Sequence, residues 1–124
     1  MPRRGRYRLS GGVIDRFVCA DLTGDGRPEM AVTITYGGSG GAVQWGVLTR
    51  TPTGGLALPI FRPDNHTGLR QEGGEFAVLH PIYRRGDPNC CPTGGYRYRR
   101  FGWDGARFVV RSEQVLPRIP TGFY

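Results

Sequence analysis

The stretch Cys19-Ala20-Asp21-Leu22-Thr23-Gly24-Asp25-Gly26-Arg27-Pro28-Glu29-Met30-Ala31-Val32 decides how the chain is read. An apolar run enters a short acidic, glycine-rich turn and a second apolar run leaves it. The run that leaves alternates Met30, Val32, Ile34 and Tyr36 against Ala31, Thr33 and Thr35, the period-two pattern of a strand with one buried face. The run that enters, Val13 to Ala20, reads as its antiparallel neighbour.

The same grammar repeats along the chain. Ala42 to Arg50 places Val43, Trp45 and Val47 on one strand face, after a Gly37-Gly38-Ser39-Gly40-Gly41 connection. Leu56 to Phe61 reads as a short strand confined to a sheet edge by Pro59. Arg62 to Gly74 is polar and reads as irregular. Phe76 to Tyr83 is strand-like, interrupted by Pro81. Asp104-Gly105 suits a two-residue hairpin turn between Tyr96–Trp103 and Ala106–Ser112, pairing Trp103 with Ala106 and Phe101 with Phe108. A bulge at Arg99-Arg100 is predicted, because it would gather Tyr96, Tyr98, Phe101 and Trp103 on one face.

With 21 glycines and 10 prolines in 124 residues, no window carries a helical apolar stripe free of both. The expectation is a mainly β, single small domain: an antiparallel meander curled into an open barrel or a small sandwich. A basic arm occupies residues 1–12, the β-rich domain 13–116 and an extended tail 117–124. The acidic turn occurs once, which excludes a multi-bladed propeller. No stretch is long and apolar enough for a transmembrane segment, and no apolar signal core follows Arg3, Arg4, Arg6 and Arg8.

The acidic turn is a candidate calcium site. Counting from Asp21, oxygens fall at positions one (Asp21), three (Thr23), five (Asp25) and nine (Glu29), the main-chain carbonyl of Arg27 stands at seven, and Gly26 permits the sharp bend. Val32 stands where an EF-hand would need its last glutamate, and no helices flank the loop. The turn resembles the Asp-x-(Asp/Asn)-x-Asp-Gly-x-x-Asp calcium loops of the FG-GAP and VCBS repeat families, with Thr23 and Glu29 as departures. The alternative is an ordinary turn in which Asp21 and Thr23 bond the backbone.

Three further sets of residues carry chemistry. Cys19, Cys90 and Cys91 are odd in number. A long-range disulfide from Cys19 to the 90–91 pair is the favoured reading, with a vicinal bond or three reduced thiols as alternatives. Zinc at His66 or His80 lacks supporting cysteine spacing. Tyr96-Arg97-Tyr98-Arg99-Arg100 interleaves rings and cations, a pattern that stacks and neutralises single-stranded nucleic acid, or else an ordinary amphipathic strand. All 17 basic residues are arginine and the net charge is +7, which favours polyanions. A thiol enzyme using Cys90 or Cys91 is a third class.

Taken together, Val18-Cys-Ala-Asp-Leu-Thr-Gly-Asp-Gly-Arg-Pro-Glu29, the run Pro81-Ile-Tyr-Arg-Arg-Gly-Asp-Pro-Asn-Cys-Cys-Pro92 and the Trp103-Asp104-Gly105 hairpin resemble the LppP/LprE-type bacterial lipoproteins over residues 13 to 112. The resemblance implies a small cell-envelope domain without catalysis, located outside the cytoplasm, whose ligand and partner, protein or polyanion, are unknown. No lipobox precedes Cys19, so the resemblance does not extend to the anchor.

Overall fold

The computed structural model describes residues 11–124, and the first ten residues of the expected basic arm lie outside that range. Eight strands follow in order: β1 (Val13–Ala20), β2 (Glu29–Thr35), β3 (Ala42–Arg50), β4 (Leu56–Pro63), β5 (Gly68–Glu72), β6 (Glu75–Pro81), β7 (Tyr96–Trp103) and β8 (Phe108–Leu116). They form two four-stranded antiparallel sheets, β1-β2-β3-β4 and β5-β6-β7-β8, each a simple meander. The sheets pack face to face, so the sandwich form of the expected architecture is the one adopted. β4 is an edge strand, as Pro59 requires, and the β3–β4 register slips between Val47 and Thr49, opposite that proline.

The core between the sheets joins Val18, Ala31, Trp45, Val47 and Ile60 of the first sheet to Leu69, Phe76, Val78, Phe101 and Phe108 of the second. Trp45 lies 4.9 Å from Phe101 and 5.7 Å from Phe76 by ring centroids, and Phe76 stacks on Phe101 at 5.5 Å. These are the favoured separations of aromatic pairs. The expectation of one buried face on β2 is corrected, because both faces are covered. Ala31 and Thr33, fully buried, face the core beside Val18, Val47 and Trp45. Val32 and Ile34 pack on the outer side with Leu48, Ile14, Met30 and Leu58. Small residues on the inner row of β2 fit beside the indole of Trp45.

Three sequence expectations in the second sheet are also corrected. Gly68–Glu72 is a strand, not part of an irregular stretch. The hairpin pairs Trp103 with Phe108 and Phe101 with Val110, so these two partners move by two residues and keep the same faces. Asp104 closes the connection by accepting the amide N–H groups of Ala106 and Arg107, each at 2.8 Å. The bulge lies on β8, where Arg111 is the extra residue between Val110 and Ser112, and β7 alternates regularly against β6. Phe101 therefore faces the core while Tyr98 faces outward.

That outward face is covered by the segment after β8. Phe123 is fully buried there, 6.0 Å from Tyr98, in a cluster with Ala77, Leu79, Tyr96 and Leu116. Its carbonyl accepts the amide of Leu69 at 2.9 Å, and the Arg70 guanidinium lies 4.4 Å above its ring. Arg16, next to a register shift in β1, reaches across to the carbonyls of Leu69 and Gly122, tying the first sheet to both.

Candidate functional site

The acidic turn joins β1 to β2, with Ala20 paired to Glu29 at its neck. Leu22 is only 3% exposed and anchors the turn in the core. Glu29 is 5% exposed; its Oε1 accepts the amides of Leu22 (2.6 Å) and Thr23 (3.0 Å), and its Oε2 accepts the Thr23 hydroxyl (3.1 Å). The exposed Asp21 carboxylate accepts the amides of Gly24, Asp25 and Gly26 at 2.8, 3.1 and 2.9 Å. These bonds, that from Gly26 foremost, hold its carboxyl below the ordinary range. Asp25 accepts the amide of Arg27 at 2.8 Å. The backbone-bonded turn weighed from the sequence is therefore present for Asp21, whereas the Thr23 hydroxyl bonds the Glu29 carboxylate and not the backbone.

Asp21, Asp25 and Glu29 also converge, each offering a carboxylate oxygen within 4.8 Å of the others. Oxygens sharing one calcium at 2.3–2.6 Å lie no more than about 5 Å apart, so these three fit that ion. Thr23 donates its hydroxyl to Glu29, which leaves that oxygen's lone pairs free.

The cysteines correct the favoured pairing. Cys90 is bonded to its neighbour Cys91, and Cys19 is exposed and free on β1. The loop that carries the pair is organised by Asp87. Its carboxylate accepts the amides of Arg84 and Thr93, both at 2.8 Å, and the Thr93 hydroxyl. The same bonds, first that from Arg84, hold its carboxyl low. At the neck, Ile82 and Gly94–Gly95 exchange backbone hydrogen bonds. A side chain at Gly94 would stand 2.5 Å from the Ile82 carbonyl, so only glycine fits there.

The arginine–aromatic strand is distributed over several environments. Arg99 and Arg97 meet Glu113 at 2.6 and 3.5 Å, and Arg100 lies 3.1 Å from Glu75. Tyr98 is buried and donates its hydroxyl to Glu72, which also holds Arg70 at 2.6 Å. Tyr96 turns into the cleft described next. The five residues thus form no continuous stacking platform of free cations.

That cleft, of about 210 Å³, was not anticipated from the sequence. It is lined by His66, Pro81, Tyr83, Asn89, Cys90, Pro92, Tyr96, Ile119 and Tyr124. These come from the β4–β5 turn, the end of β6, the Cys90-Cys91 loop, the start of β7 and the segment after β8. Tyr83 donates its hydroxyl to the Asn89 carbonyl and Tyr124 to the His66 carbonyl, both at 2.6 Å. Asn89 reaches Ser39 in the β2–β3 loop at 2.9 Å, tying the cleft to the first sheet. Although Tyr124 is more than half exposed, its hydroxyl end is desolvated, which pushes its pKa up, with Tyr96, Asp64 and Tyr83 adding to the effect.

His66 is the one non-glycine residue with positive φ among the described residues, at 46°. Its Nε2 is buried without a hydrogen-bond partner. Its ring sits 6.2 Å from that of Tyr83, and a side chain at Gly41 would meet its Nδ1 at 3.0 Å. A strained backbone and an orphaned buried polar atom coincide on one wall of the cleft, a combination that ligand sites retain. The tyrosines, prolines and paired cysteines were visible as sequence, but their convergence is tertiary.

No protein-family model matches the sequence, and neither the curated proteins nor the solved structures give a match.

Proposed function

We propose that this chain is a non-catalytic binding domain that works in the bacterial cell envelope, recognising a small ligand in the cleft between His66, Tyr83, Tyr96 and Tyr124. The single observation behind the reading is the cleft itself: three stretches of the chain, at His66, at 81–96 and at 119–124, meet there at the edge of the β-sandwich, forming the kind of concave site small molecules occupy. The envelope location rests on the resemblance to the LppP/LprE-type lipoproteins, and the paired Cys90 and Cys91 accord with an oxidising compartment. The same pairing removes both thiolates that a thiol enzyme would use. Calcium at Asp21, Asp25 and Glu29 belongs to this proposal as a stabiliser of the fold.

The test is amide chemical-shift mapping against a mixture of neutral, cationic and anionic fragments. Perturbations are expected at His66, Tyr83, Cys90, Tyr96 and Tyr124. Shifts confined to Tyr96–Arg100 and growing as salt is lowered would instead favour a polyanion-binding surface.

A further inference from the structure

We infer that the cleft accepts a neutral saccharide ring; this rests on the binding-domain reading above and deepens it. The first argument is charge. The chain carries 17 arginines and a net charge of +7, yet no arginine, aspartate or glutamate side chain lines the cleft. An anionic ligand, such as a phosphate or nucleotide, would be met there by guanidinium groups. A cation would be met by a carboxylate, and it would also approach against the net positive charge. A lining without arginine, aspartate or glutamate favours an uncharged ligand.

The second argument is shape. About 210 Å³ is less than the roughly 300–1,000 Å³ of sites for drug-sized molecules, so the occupant is of single-ring size. Three of the chain's six tyrosines stand there with two prolines and Ile119. Tyrosine offers an apolar ring face with a polar edge. A pyranose has the complementary division, a C–H face for the rings and hydroxyls around its rim.

The third argument is rigidity. The hydroxyls of Tyr83 and Tyr124 are spent as donors on backbone carbonyls, which fixes both rings, yet each oxygen keeps acceptor capacity for a sugar hydroxyl. The Cys90–Cys91 bond closes a small ring through the intervening peptide and adds a stiff, apolar sulfur surface to the wall. Walls that are ordered in advance reduce the entropy lost on binding, which matters most for weakly bound small ligands.

Saturation-transfer NMR on the intact chain tests the inference, using glucose, galactose, mannose and N-acetylglucosamine, with choline, phenol and methyl phosphate as comparators. At least one sugar is expected to receive transfer, through its ring C–H protons. Tyr124→Ala, at a largely exposed position, is expected to weaken that sugar's binding about tenfold or more. The Cys90→Ser, Cys91→Ser double variant is expected to weaken it as well, with melting temperatures checked for both proteins. Transfer to choline, phenol or methyl phosphate but to no sugar overturns the saccharide while leaving a small-molecule cleft in place. Transfer to none of the seven probes overturns both. Sugar binding that survives Tyr124→Ala and Tyr83→Leu unchanged places it elsewhere and also overturns the inference.

Discussion

Glu29 shows how a residue singled out by its spacing can carry a second role set by the fold. Its spacing from Asp21 and Asp25 marks it as an oxygen ligand, and its oxygens do converge with theirs. Burial gives it a second task, because it alone accepts the side-chain-facing amides of Leu22 and Thr23 where the turn enters the core. Glu29→Ala would leave those two donors without their acceptor, at an expected cost of about 2–4 kcal/mol in denaturant unfolding. In the intact protein calcium should raise the melting temperature, since an ion bound by the native state alone shifts folding by mass action, and the variant should lose that response. Equal melting in calcium and in chelator would remove the ion and leave Glu29 its purely structural role. Backbone bonding by Asp21 was weighed from the sequence; what the sequence could not convey is that Glu29 also accepts backbone amides, because such bonds depend on the path of the turn.

At the scale of the element, strands with a full apolar row were legible and the strand without one was not. Gly68-Leu69-Arg70-Gln71-Glu72 offers Leu69 as its only apolar side chain, too little for a period-two signal, yet it supplies a pairing edge for β6. The bulge was assigned to β7 on the assumption that its aromatics share one core. The sheet has apolar cover on both faces, so Phe101 and Tyr98 are each buried without one. β5 and β7 are joined beyond their shared neighbour by Arg70, Glu72 and Tyr98. Burial raises the Glu72 carboxyl, but the hydrogen bonds from Arg70 and Tyr98 outweigh it, and the net position is below the ordinary 4.5. A carboxylate lowered by folding stabilises the protein above its unfolded pKa and loses that contribution as pH falls through the folded value. Urea midpoints are therefore expected to hold steady above about pH 5.5 and to decline below 4.5. Asp21, Asp87, Asp104 and Glu113, also lowered, contribute to the same decline. Glu72→Gln should make it shallower, and identical slopes for the two proteins would deny the trio its part.

For the whole molecule, the segment after β8 is structural, and the extended tail expected from its prolines is one that packs. Phe123 fills the outer face of the second sheet, and the backbone around it receives Leu69, Arg70 and Arg16. Phe123→Ala is expected to cost about 3–5 kcal/mol, lost from a single cooperative transition. A loss below about 1 kcal/mol would show the segment to be peripheral. The sheet order has a consequence of another kind. Each sheet is one uninterrupted half of the chain, so the ribosome delivers the first, β1 to β4, before any strand of the second exists. Until β5 to β8 emerge, the inner row of Trp45, Val47 and Ile60 has no cover. The newborn half-protein carries its stickiest surface outward, and the interval between the two halves of synthesis is when it is most exposed to capture by chaperones or by its own kind.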